Sequence, residues 1–67
     1  MNLADFIKSF RNEDSPFGDF AKDFVTSKIK AITYNGIKKK LIQYGICELA
    51  LDVFEEIVLL YNSKEKL

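Results

Sequence analysis

The sequence predicts an all-α fold, a compact four-helix domain with a long C-terminal helix at its centre. Three observations carry this. Apolar residues recur at helical spacing in four separate segments. A Ser-Pro pair at 15–16 and a glycine at 45 stand where helices start and stop. The run from Ile46 to Tyr61, ICELALDVFEEIVLLY, is the most apolar in the chain and reads as one helix.

That last helix sets the architecture. At about 100° per residue, Leu49, Leu60, Val53, Ile46, Ile57, Ala50, Tyr61, Phe54, Val58 and Leu51 fill an arc of roughly 200°. Glu48, Asp52, Glu55 and Glu56 take the rest, with Leu59 alone among them. A helix lying on one neighbour needs a stripe of only about 100°. This one calls for cover on two or three sides, so the other helices are expected around it.

The first helix spans residues 3–11, with Leu3, Phe6, Ile7 and Phe10 at the i, i+3, i+4, i+7 positions and Asn2 as N-cap. Asn12 to Asp14 reads as a turn. Ser15 then caps a second helix, with Pro16 in the first position, where a missing N–H costs nothing. Phe17, Phe20, Ala21, Phe24 and Val25 form its apolar stripe. Gly18 weakens this helix by about 1 kcal/mol relative to alanine; close approach of another helix to its bare backbone is the expected compensation. Residues 27–33 read as a connection pinned to the core by Ile29 and Ile32. A third helix runs from Tyr34 to Tyr44, with Tyr34, Ile37, Leu41 and Tyr44 on one face, and Gly45 ends it. The polar tail from Asn62 to Leu67 is expected to fray.

Size and composition exclude more chemistry than they suggest. Sixty-seven residues make one domain, 1–67, that buries only about 60% of the surface its unfolded chain exposes. One cysteine and no histidine leave no internal disulfide and no ordinary zinc site, so six Phe, three Tyr and the aliphatics must build the core. Ten basic residues balance ten acidic ones, which argues against a dedicated nucleic-acid binder. Asp5 and Lys8 interrupt the first apolar segment, so it does not read as a secretory leader. Four acids keep the last helix from reading as a membrane span. The lone Cys47 and high lysine content fit a cytoplasmic setting.

The segment Leu3 to Asp23, LADFIKSFRNEDSPFGDFAKD, resembles the start of the YozE-like, sterile-alpha-motif-like family of small bacterial proteins. The resemblance rests on Asp14, Pro16, Gly18, Asp19, Ala21 and Asp23, with Phe17 and Phe20 at apolar positions. Phe54, Ile57 and Tyr61 stand at the spacing of the family's C-terminal pattern, with Ile57 in place of a small residue. Phe6 stands where the family usually has tryptophan, and residues 26–46 match only loosely. The resemblance implies a four-helix fold akin to sterile alpha motif domains and no catalytic residues. Such domains elsewhere bind proteins, self-associate or bind nucleic acid, and fold alone does not choose among these.

Lys28, Lys30, Lys38, Lys39 and Lys40 give residues 28–40 five positive charges and no acid. This is the candidate nucleic-acid segment. Three consecutive lysines on a helix fan over about 200°, and no arginine, the usual base reader, joins them. The acidic ridge Glu48, Asp52 and Glu55 has the spacing to hold a hard cation, but acids near a helix start are favoured by its dipole without one. Asp19 and Asp23, also one turn apart, read the same way. Cys47 lies near a helix start without a histidine to activate it and reads as a packed or capping residue. With no histidine to serve as base for any serine, and no glycine-rich phosphate loop, the chain reads as a non-enzyme without cofactor or metal. What remains is apolar. Leu51 and Val58 lie on the edge of the arc and Leu59 projects from the acidic face, with Glu55 on the rim. Together they form the candidate protein interface. The expected function is therefore a small cytoplasmic interaction module that binds a protein partner or a second copy of itself. A mobile-element protein acting on a host factor is a special case of that reading. The alternative is a weak nucleic-acid binder using the lysine segment.

Overall fold

The computed structural model describes residues 1–65, with side chains described through Ser63. Four helices follow in order: α1 (Leu3–Lys8), α2 (Pro16–Thr26), α3 (Tyr34–Gln43) and α4 (Glu48–Glu65). The all-α, four-helix expectation is met, and no strand occurs among the described residues. α1 stops three residues short of its expected end; Phe10, Arg11 and Glu13 continue as hydrogen-bonded turns. α4 runs on through residues expected to fray, as far as Glu65; Lys66 and Leu67 lie outside the described residues.

Side-chain oxygens start three of the helices. Asn2 accepts from the Asp5 amide, Ser15 from the Gly18 amide and Thr33 from the Gly36 amide, each satisfying a donor that the first turn leaves free. Thr33 was not anticipated in that role, although its place before Tyr34 is the standard signature. α3 ends at Gly45, whose φ of +71° lets its N–H reach the Ile42 carbonyl and the Ile46 N–H reach that of Leu41. α2 ends in a similar turn, but there the left-handed position falls on Lys28, with φ +57°.

One hydrophobic cluster draws on every helix: Leu3, Ala4, Phe6 and Ile7 from α1; Phe20, Ala21 and Phe24 from α2; Ile37 and Leu41 from α3; Phe54, Ile57 and Val58 from α4. Ile29 joins from the connection. α1, α2 and α4 pack mutually, while α3 is tied on by side chains. Two runs of aromatic rings cross these boundaries. Tyr61, Phe6, Phe10 and Phe17 follow one another at centroid distances of 5.5, 5.3 and 5.4 Å, joining α4 to α1 and α2. Phe54 contacts Phe20 of α2 at 6.0 Å and stacks on Tyr34 of α3 at 5.6 Å. Rings at these separations add to what area burial alone supplies.

The wide apolar arc of α4 is only partly covered. Phe54 and Ile57 are fully buried, but Leu49 is 76% exposed and Leu60 45%. The reason is direction. At about 100° per residue the two leucines stand within roughly 20° of each other on one edge of the arc, about 60–80° from Ile57 and about 120–140° from Phe54. Val53, on the same edge and between them in sequence, is only half-buried. Val25 and Tyr44, expected on buried stripes, are exposed, as is Ile32, which does not pin the connection as Ile29 does.

Gly18 is buried for a nearer reason than an approaching helix. The backbone of the preceding turn folds over it: a Cβ there would stand 1.8 Å from the Glu13 carbonyl oxygen and 3.2 Å from that of Phe10.

Candidate interaction surface

Of the apolar residues expected on the patch, only Leu59 is exposed. Leu59 stands 68% exposed on the outer face of α4, as anticipated. Val58 does not accompany it. It is a core residue with 9% exposure, one turn beyond Phe54 and next to Ile57. Leu51 is half-buried. The exposed apolar partners of Leu59 are instead Leu60 and, across a groove, Ile32.

Leu59 is a ridge between two hollows. On one side lies a groove of about 660 Å³, bounded by the N-terminal end of α1, the connection before α3 and α4. Leu3, Ile32, Tyr34, Val58 and Tyr61 line it together with Asn2 and Thr33. Val58 thus contributes to the wall of the groove while belonging to the core. The Tyr61 hydroxyl donates to the Met1 carbonyl at 3.1 Å and ties the chain start to α4. On the other side is a hollow of about 410 Å³ formed by Phe17 of α2 with Glu56, Leu59, Leu60 and Ser63 of α4.

Glu55, expected on the rim of the patch, has a structural occupation. Its carboxylate accepts from the Tyr34 hydroxyl at 2.8 and 3.1 Å and pairs with the Lys38 ammonium at 3.2 Å. Lys38 also donates to the Tyr34 oxygen at 3.1 Å and lies 5.4 Å from the ring centre. Its ammonium is held above the ordinary value of 10.5, first by the hydrogen bond to Tyr34 and then by the hydrogen bond and charge of Glu55. This triangle joins α3 to α4 on the rim of the larger groove. It was not foreseen, since the three residues lie up to 21 positions apart and no periodicity links them.

Of the lysine segment, one residue is taken up in an ion pair and four stand exposed. Lys38 is committed to Glu55, and Lys28, Lys30, Lys39 and Lys40 are exposed. Lys39 and Lys40 follow Lys38 at about 100° steps around α3. Elsewhere, no group of three or more His, Cys, Asp or Glu side chains converges as a metal site among the described residues. Cys47 is exposed and free; its carbonyl accepts from the Leu51 amide at 3.1 Å and so begins α4. No described helix is long and apolar enough to cross a membrane.

No family model, curated protein or solved structure matches the chain.

Proposed function

We propose that this protein is a non-catalytic interaction module of the cytoplasm, which binds a protein partner through the outer face of α4. The observation that supports it is the placement of Leu59: a large apolar side chain in solvent with an apolar hollow on each side. Leaving that surface in water is unfavourable by about 25 cal/mol per Å² of apolar area, and a partner removes the penalty. Exposed leucine flanked by grooves is also how short helical or extended segments are gripped. A reducing compartment suits the exposed thiol of Cys47. The residues from Asp14 to Asp23 support membership of the YozE-like family, and interaction rather than catalysis agrees with that resemblance. Action on a host factor, from a mobile element, is the biological setting we favour.

The lysine segment supports the second reading, nucleic-acid binding, through the exposed Lys28, Lys30, Lys39 and Lys40. Charge fanned around a helix gives phosphate contact without base readout. The two readings separate in one affinity capture from cells that make the protein. Wild type, Leu59→Glu and the triple variant Lys30→Gln, Lys39→Gln, Lys40→Gln serve as baits; Lys38 is spared because it holds Glu55. A protein retained in stoichiometric amount by wild type and by the triple variant, insensitive to nuclease, and lost with Leu59→Glu is the expected result. Recovery of nucleic acid alone, lost with the triple variant, would establish the second reading instead.

A further inference from the structure

The hollow beside Phe17 is one end of a longer acidic and apolar strip. A second hollow, of about 190 Å³, lies at the other end of the α2–α4 seam, between Pro16, Phe20 and the residues Leu49, Ala50 and Val53. Asp19 and Asp23 of α2 line it, and Glu56 lines the first. Asp52 is exposed between them in sequence on α4. No lysine or arginine lines either hollow among the described residues, and the ion pair found among those residues, Lys38–Glu55, is formed at the opposite flank of α4. The strip therefore has exposed leucines at both ends, a half-buried apolar floor of Phe17 and Val53, and four carboxylates that form no ion pair among the described residues. From Leu49 to Ser63 it covers fourteen steps of helix, about 21 Å, or four turns.

We infer that the α2–α4 strip is the docking site for a cationic amphipathic helix of a partner protein. The inference rests on α4 being an interaction surface and names the chemistry of what lies on it. Apolar residues of the partner seat beside Leu49, Val53 and Leu60, and its Lys or Arg side chains face Asp19, Asp23, Asp52 and Glu56. Charge decides the occupant. A second copy joined α4 to α4 would set Asp52 and Glu56 of one molecule against the same residues of the other, and like charges at such contact are costly. An acidic or nucleic-acid ligand is repelled for the same reason. A cationic helix gains on both counts, apolar burial and charge complementarity, and its association is steered by the field of the four acids.

The test uses the ¹⁵N-labelled protein at 150 mM salt and three synthetic 18-residue peptides. One is an amphipathic Leu/Lys helix, the second has the same composition with the amphipathic order scrambled, and the third replaces every Lys by Glu. The Leu/Lys helix is expected to give saturable amide shifts confined to residues 16–23 and 49–63. The scrambled and acidic peptides should bind at least tenfold more weakly. Leu49→Glu and Leu60→Glu, both at exposed positions, should each weaken the Leu/Lys helix at least tenfold with the spectrum otherwise preserved. Absence of shifts, equal binding of the scrambled peptide, or shifts centred on residues 28–40 would overturn the inference. So would concentration-dependent shifts of the same residues without peptide, which would make the occupant a second copy. If the peptide fails while Leu59→Glu still loses its captured protein, the cationic helix alone is refuted; if both fail, the interaction surface falls with it.

Discussion

At Gly18 a single missing side chain decides whether α2 can begin where it does. The Ser15 hydroxyl accepts from the Gly18 amide at 3.2 Å while the Glu13 carbonyl closes over the α-carbon. Alanine would gain about 1 kcal/mol in helix propensity but would place its methyl group within bonding distance of a backbone oxygen. Gly18→Ala is expected to destabilise by several kcal/mol, on the scale of an overpacked core, read as a large fall in the urea midpoint. The opposite sign is expected at Lys28. There a lysine occupies the left-handed position that closes α2, a conformation costing about 1 kcal/mol for a residue with a Cβ. Lys28→Gly should recover most of that and raise the midpoint. Both glycine requirements concern backbone geometry. The need for Gly18 to be small was legible from its position inside an apolar stripe, but the identity of its neighbour was not, because the turn at 10–13 follows no periodic pattern. The strain at Lys28 had no signal at all, since lysine is the wrong residue for the turn it makes.

Each helix was legible where a cap or a stripe marked it, and the ties between helices were not. α3 shows the difference. Ile37 and Leu41 face the core as their spacing requires, yet what holds α3 to α4 is Tyr34, stacked on Phe54 and hydrogen-bonded to Glu55. Tyr34→Phe keeps the stacking and removes the hydroxyl, so it should cost about 0.5–1.5 kcal/mol, the net worth of one hydrogen bond, measured by chemical denaturation. Lys38 adds a pH signature. Its proton is bound more tightly in the folded state than in the unfolded chain, so its contribution is complete below 10.5 and is lost as pH rises through the higher folded value. The urea midpoint should therefore fall on that alkaline flank, and Lys38→Met should remove this part of the fall. The effect is small because the pair stands in solvent. On α4, the wheel placed Phe54 and Ile57 correctly and misjudged Leu49, Leu60 and Val58. A wheel shows how wide an apolar arc is but not how much of it the neighbouring helices reach, and Leu49 and Leu60 fall together on its uncovered edge. Ile57→Ala should cost about 2–5 kcal/mol as a fully buried truncation, whereas Leu59→Ala should change stability by less than about 0.5 kcal/mol. Equal losses would mean that Leu59 is packed.

On the scale of the molecule, zero net charge conceals segregation. Acids gather on α4 and on the facing side of α2, and lysines on α3 and the connection before it, with Lys38–Glu55 joining the two regions. The fold places every aromatic residue but Tyr44 in or against the core and leaves leucines on the surface of its longest helix. Single exposed leucines are ordinary on a protein surface; what supports the proposed partner surface is that Leu59 stands between two hollows. Site-specific photo-crosslinking tests this most directly. A benzophenone amino acid is placed at position 59, and separately at position 43 on the exposed Gln43 of α3, in cells that make the protein. A discrete protein adduct from position 59, absent from position 43, is the predicted result. Adducts of equal yield from both positions, or none from position 59 while the protein remains folded, would contradict it.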